Sequence, residues 1–282
     1  MNRLAVIGHP VAHSLSPAMH TAAFEELGIA DEWSYDAVDV SPEDFGEGLD
    51  ELWGTGYAGV NVTVPHKEAA FRIADRRSEA VAEIGAANTL TFDDKGMVAD
   101  NTDAGGLIAA LPASFDPSGA RALLLGAGGS ARAAAWALDR AGAGVEVFNR
   151  TGEKARRLAA DLGVTVHEAP SEGADLDLSG FDLLVNSTSV GLAREGAGAS
   201  EPGSDLKALR LQADQLIDPL VVVDLVYGSE PTELAATCMS GGANFVDGLE
   251  ILVQQGAESF RIWTGLEPPI EIMRNAVREL RA

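Results

Sequence analysis

Short apolar runs alternate with longer amphipathic stretches along most of the chain. Residues 4–7 (Leu-Ala-Val-Ile) read as a buried strand. A helix is predicted over 17–27, with Ser16 as N-cap, Pro17 in its first position and Gly28 as its stop. Strands are predicted over 33–38 and 59–64, and helices over 44–52, 67–74 and 79–84. Two short strands, 89–92 and 97–99, flank the turn Asp93-Asp94-Lys95-Gly96, and a helix is expected over 103–111.

The texture then changes. Residues 112–119 form a turn-rich break, after which a strand (122–125), a glycine-rich turn, an Ala-rich helix to Ala141 and a strand (145–148) follow in close order. Later strands are predicted over 183–186 and 221–225 with helices between. The polar stretch 191–215 reads as a long loop with one helical turn. The C-terminal part reads as two helices, 249–263 and 270–280, split by Gly265 and Pro268-Pro269. Repeated strand–helix alternation implies a parallel sheet covered on both faces, hence an α/β fold in two domains.

Composition narrows the partners. The chain of 282 residues has a formal net charge of −23, which repels nucleic acid and anionic membranes. No apolar run approaches the ~20 residues of a bilayer span. The N-terminus lacks the long apolar core and small-residue cleavage site of a secretion signal. A single cysteine, Cys238, allows no internal disulfide and suits a reducing cytoplasm. No His, Cys and carboxylate grouping has metal-ligand spacing, so no metal is expected. The acidity raises a problem of its own, because any anionic ligand must be met by local positive charge or by backbone N–H groups.

Gly126-x-Gly128-x-x-Ala131 supplies such groups. It follows a strand and opens a helix, as a dinucleotide turn does: the first Gly makes the tight turn, the second admits a pyrophosphate, and the small third residue packs the helix on the strand. The helix N-terminus adds free N–H groups and partial positive charge. At the end of the next strand, where an NAD site carries a carboxylate, the chain reads Phe148-Asn149-Arg150-Thr151, with Lys154 one turn on. A guanidinium there suits the 2′-phosphate of NADP.

Three further polar blocks precede this region: Ser14-Leu15-Ser16-Pro17, Asn61-Val62-Thr63-Val64-Pro65-His66-Lys67, and Ala87-Asn88-Thr89-Leu90 followed by Asn101-Thr102-Asp103. Each has a plainer reading by itself: a helix cap, a surface Lys beyond a strand, a set of turn formers. His66 reads as structural. Asn61 and Thr63 alternate along a strand and share a face.

Taken in order with Gly126–Ala131, Asn149-Arg150-Thr151, Asn186-Ser187-Thr188, Asp224-Leu225-Val226-Tyr227 and the block from Asp247-Gly248-Leu249 to Gln255, these segments resemble the shikimate dehydrogenase family over nearly the whole chain. The resemblance implies an α/β substrate-binding domain with a mainly parallel sheet, residues 1–104 plus 246–282, and a Rossmann-like NADP-binding domain, residues 105–245. It implies reversible, NADP-dependent reduction of 3-dehydroshikimate to shikimate in aromatic amino acid (chorismate) biosynthesis, by a cytoplasmic monomer or homodimer. Lys67 and Asp103 would be the catalytic pair. Ser14 and Ser16 would hold the substrate carboxylate, and Thr63, Asn88, Tyr227 and Gln255 would line the pocket with that pair. Gly126, Ala127, Gly128, Gly129 and Ser130 would hold the pyrophosphate, and Asn149, Arg150, Thr151 and Lys154 the adenosine phosphate end. Thr188, Leu225 and Gly248 would lie at the nicotinamide half, and Glu79 would border the cofactor.

The chain departs from the family pattern at Ser187 (often Ala), at Leu192 (often Met) and in the loop after Tyr227, where the proline has moved to Pro231. Two alternatives stay open: a quinate/shikimate dehydrogenase with NAD use, and a non-catalytic metabolite sensor, which would be expected to lack Lys67 or Asp103.

Overall fold

The computed structural model describes residues 1–168, 171, 173–192, 203–228 and 230–281. Contacts divide the chain into two units: Met1–Ala109 with Ile251–Leu280, and Ala110–Glu250 with Arg281.

In the first unit the chain runs β1 (Asn2–Gly8), α1 (Ser16–Glu26), β2 (Trp33–Asp39), α2 (Phe45–Gly54), β3 (Tyr57–Val62), α3 (Lys67–Ile73), β4 (Arg76–Arg77), α4 (Glu79–Ile84), β5 (Thr89–Asp93), β6 (Gly96–Asp100) and α5 (Thr102–Ala110). The sheet order is β2-β1-β3-β5-β6-β4. β1 pairs in parallel with β2 and β3, whereas β5 runs antiparallel to β3 and β6. Ile7, Val60, Val62 and Leu90 pack against Phe45, Leu49 and Val81 in one core, and a fully buried aliphatic side chain of this kind stabilises by about 1.5–3 kcal/mol.

The helix after β1 begins one residue earlier than the sequence suggests. Ser16 is its first residue rather than its cap, Leu15 holds the cap position, and Ser14 Oγ accepts a hydrogen bond from the Ser16 N–H at 3.3 Å. The Ser14 hydroxyl thus starts the turn, and Ser16 is 4% exposed.

The second unit continues with β7 (Arg121–Leu125), α6 (Gly129–Arg140), β8 (Gly144–Phe148), α7 (Gly152–Leu162), β9 (Thr165–Val166), β10 (Leu183–Asn186), α8 (Ser204–Leu209), β11 (Val221–Asp224), α9 (Glu233–Gly241) and β12 (Asn244–Asp247). These strands all pair in parallel among the described residues, in the order β12-β11-β10-β7-β8-β9. Counted from β7 this is the 3-2-1-4-5-6 arrangement of a doubly wound dinucleotide fold. The polar stretch expected over 191–215 lies partly outside the described residues; of the rest, residues 204–209 form α8, whose Leu206 and Leu209 are buried. Two helices close the chain, α10 (Gly248–Thr264) and α11 (Ile270–Glu279).

Candidate active site

In parallel α/β sheets ligands sit beyond the C-terminal strand ends, and in the first unit the polar blocks gather there. Beyond β1 and β3 the two connecting loops touch: the His9 N–H donates to the Val64 carbonyl at 3.0 Å and the Thr63 N–H to the Ile7 carbonyl at 2.9 Å. Ser14 is half-buried in the first loop and Thr63 in the second, one residue past the end of β3.

His66 is 1% exposed, stacks on Phe45 with ring centroids 4.5 Å apart, and donates from Nε2 to the Val40 carbonyl at 2.7 Å. Burial holds its pKa below the ordinary imidazole value. A neutral, committed imidazole of this kind braces the loop and leaves the chemistry to its neighbour.

That neighbour, Lys67, opens α3. Its Nζ donates to Asp103 Oδ2 at 2.6 Å, with the two side chains 12% and 15% exposed. Asp103 sits in the first turn of α5, and Asn88 Nδ2 donates to its other oxygen, Oδ1, at 3.0 Å. Held from both sides, the carboxylate has little freedom to turn away from the ammonium. In so dry a setting an ion pair interacts far more strongly than it would in water.

Asn88 is the hub. Its Nδ2 also faces Thr102 Oγ1 at 2.9 Å and Gln255 Oε1 at 3.1 Å, and its Oδ1 accepts from the Thr102 N–H at 2.7 Å. Gln255 arrives from α10, which crosses α5 closely because Gly106 has no side chain: a Cβ there would lie 2.8 Å from the Gln255 backbone nitrogen. Gln255 Nε2 in turn donates to the Leu252 carbonyl at 2.8 Å. Lys67, Asn88, Asp103 and Gln255, distant in sequence, therefore form one hydrogen-bonded cluster.

Two residues absent from the expected set belong to it. Thr102 is fully buried between Asn88 and Gln255, and Asn61 donates to the Asn88 carbonyl at 3.2 Å while accepting from the Tyr35 hydroxyl at 2.7 Å. Both lie within blocks flagged in the sequence, but nothing there separates a buried bracing amide from a ligand-facing one. Glu258, one turn beyond Gln255, had no motif to mark it. Burial and the nearby Asp100 and Asp103 carboxylates raise its pKa to about 7, although Arg261 opposes them. Glu79 is exposed at the start of α4.

In the second unit the glycine turn follows β7. Gly126 has φ +113° and its N–H donates to the Phe148 carbonyl at 2.9 Å; a Cβ there would meet Ser187 Oγ at 2.5 Å. Gly128 caps α6, and the space a Cβ would occupy is open. Ala131 is fully buried. The turn thus leaves an open approach above a twelve-residue helix, which fits a pyrophosphate. Past β8, Asn149 Nδ2 donates to the Thr151 carbonyl at 2.9 Å, fixing the turn that carries the exposed Arg150 and Lys154. Thr188, Leu225 and Tyr227 stand half-buried just past β10 and β11, and Gly248 follows β12. Among the described residues, no group of three or more His, Cys, Asp or Glu side chains could hold a metal ion.

A doubly wound unit with an open glycine turn, and a second α/β unit with a desolvated ammonium–carboxylate pair, define a dehydrogenase of the dinucleotide-dependent class. Family models match three stretches: the shikimate dehydrogenase substrate binding domain over 6–90, shikimate/quinate 5-dehydrogenase over 110–202, and the shikimate 5′-dehydrogenase C-terminal domain over 248–278. The chain belongs to the shikimate dehydrogenase family. A relative from Methanothermobacter thermautotrophicus, named shikimate dehydrogenase (NADP(+)), is 40% identical over 98% of this chain and 95% of its own length. A crystal structure of a shikimate dehydrogenase in complex with NADP+ superposes with a TM-score of 0.87 at 34% identity, covering 100% of this chain and 96% of that one. The Thermus thermophilus enzyme in complex with NADP(H) and shikimate gives 0.83 at 41% identity, with 99% of each chain covered.

Proposed function

We propose that this protein reversibly reduces 3-dehydroshikimate to shikimate with NADPH, in the biosynthesis of chorismate and the aromatic amino acids. The observation that carries the reading is the Lys67–Asp103 pair at 2.6 Å, locked by Asn88. When bound, NADPH supplies the hydride. As negative charge grows on the ketone oxygen, the Lys67 ammonium stabilises it and donates its proton. In the reverse direction the neutral amine recovers that proton from the C3 hydroxyl. Asp103 keeps Lys67 aimed and accepts from the adjacent hydroxyl, and Asn88, Thr63, Tyr227 and Gln255 select the remaining ring hydroxyls. The hydroxyls of Ser14 and Ser16 hold the substrate carboxylate. Gly126–Ser130 would carry the pyrophosphate, Asn149–Lys154 the 2′-phosphate end, Thr188, Leu225 and Gly248 the nicotinamide end, with Glu79 at the border. The enzyme acts as a monomer or homodimer in the cytoplasm, whose reducing conditions suit its single cysteine, Cys238.

The test is direct. Purified protein should consume NADPH, followed at its absorbance band, only when 3-dehydroshikimate is added. Tight binding of that compound without turnover would replace the enzyme with a metabolite-binding protein.

A further inference from the structure

The second unit contains a carboxylate for which the proposed chemistry has no use. Asp224 ends β11 and is 0% exposed. It stands in register with Asn186 at the end of β10 and with Asp247 at the end of β12. Three segments donate to it: Asn186 Nδ2 to Oδ1 at 2.9 Å, the Val226 N–H to Oδ1 at 3.1 Å, and Thr232 Oγ1 to Oδ2 at 2.7 Å.

Each donor is tied onward. Asn186 Oδ1 accepts from the Thr188 N–H at 3.1 Å and from Thr188 Oγ1 at 2.7 Å, and Thr188 Oγ1 accepts from the Val190 N–H at 3.1 Å. Thr232 Oγ1 caps α9 by accepting from the Ala235 N–H at 3.1 Å. A Cβ on Gly248 would lie 2.8 Å from the Asp224 carbonyl oxygen and 3.0 Å from Leu225. One buried side chain thus gathers the exits of β10 and β11 and the start of α9, with the chain leaving β12 against its backbone.

The position of this junction gives it a role. A doubly wound sheet binds a dinucleotide across its C-terminal edge in two mononucleotide halves. The turn after β7 and the end of β8 serve the pyrophosphate and the adenosine, so the ends of β10, β11 and β12 are left for the nicotinamide. We propose that Asp224 is a positioning residue for the nicotinamide end of the cofactor, acting through Thr188, Leu225 and Gly248 without touching the ligand. This inference rests on the cofactor reading given above. The carboxylate is held by uncharged donors; burial, with a smaller push from the Asp247 carboxylate, raises its pKa to about 6 although all three hydrogen bonds favour the ionised form. Among the described residues this buried acceptor of three hydrogen bonds pairs with no cation, so its burial costs desolvation, which fits selection for geometry.

The experiment uses the intact protein and two probes, NADP+ and 2′-phospho-ADP-ribose, which lacks the nicotinamide. In Asp224→Ala, NADP+ affinity should fall at least fivefold and the turnover rate at least tenfold, while affinity for the fragment stays within twofold. Thr232→Val, which removes one donor, should show a smaller loss with the same split, and Thr232→Ser should behave as wild type. If Asp224→Ala fails to fold, the Thr232 pair decides. Equal losses for NADP+ and fragment, or no loss for NADP+, would overturn the proposal. A wild-type protein inactive toward shikimate would refute the activity reading instead, and the two-probe comparison would still decide the role of Asp224.

Discussion

Lys67 Nζ and Asp103 Oδ2 lie 2.6 Å apart although 36 positions separate them in the chain. One opens α3 and the other lies in the first turn of α5, so each is fixed by a helix start rather than by a free loop. Asn88 completes the arrangement by holding the carboxylate's second oxygen. Replacing Asn88 with Ala should leave Asp103 free to rotate. The expected result is a roughly tenfold or greater fall in kcat, since a displacement of ~1 Å at a reacting centre can lower rates by ~100-fold. Unchanged kcat would show that Lys67 alone sets the geometry.

The two glycines of the dinucleotide turn should respond differently. Gly126 has φ +113° and a Cβ there would crowd Ser187, so Gly126→Ala should destabilise the fold by about 1–3 kcal/mol. Gly128 faces open space, so Gly128→Ala should lose little more than the quality of the helix cap yet bind NADP+ more weakly, because the new methyl would stand on the proposed approach of the pyrophosphate. Thermal melts with and without NADP+ distinguish the two cases. Equal Tm losses would contradict the reading.

Arg150 is exposed at the turn after β8. Arg150→Ala should raise KM for NADP+ far more than for NAD+, by about tenfold or more, since a charge-assisted hydrogen bond contributes roughly 1.5–3 kcal/mol. Equal loss with both cofactors would remove Arg150 from the 2′-phosphate site.

Glu258 gives a pH-dependent expectation. Its carboxyl oxygen lies 2.4 Å from where a Cβ on Gly105 would stand, and its pKa rises from 4.5 to about 7, mainly through burial. The folded state therefore holds a proton that the unfolded chain releases between these values. Its contribution to stability is fully present below pH 4.5 and is lost as pH rises through about 7. Glu258→Gln cannot ionise, so the Tm of the variant relative to wild type should increase between pH 5 and pH 8. A constant difference would show that Glu258 is ionised throughout.

The net charge of −23 implies self-repulsion that salt should relieve. The screening length shortens from about 10 Å at 0.1 M to about 3 Å at 1 M, so Tm should rise steadily over that range in sodium chloride. A flat response would mean that repulsion among the surface carboxylates costs the folded state no more than it costs the unfolded chain.

Much of the fold could be read from the chain. The α/β alternation, the glycine turn and most strands follow from apolar period and turn chemistry. β12 escaped because it is only four residues long at the sheet edge, with Phe245 and Val246 its two apolar positions between Asn244 and Asp247. Ser16 had every mark of an N-cap, but the Ser14 hydroxyl takes the turn one residue earlier. At the site, charged and glycine residues stood out because their chemistry is unusual in its setting. Asn61, Thr102 and Asp224 did not, since a buried polar residue is recognisable only once its partners from other strands are in place.

The central claim is that the Lys67 ammonium transfers the proton that accompanies hydride transfer. The most direct measurement compares the NADPH-dependent reduction of 3-dehydroshikimate by wild type and by Lys67→Ala at saturating substrate. Loss of general acid catalysis should lower kcat by ~10²–10⁴-fold with KM for 3-dehydroshikimate changed little. A variant that keeps near-normal kcat would contradict the account.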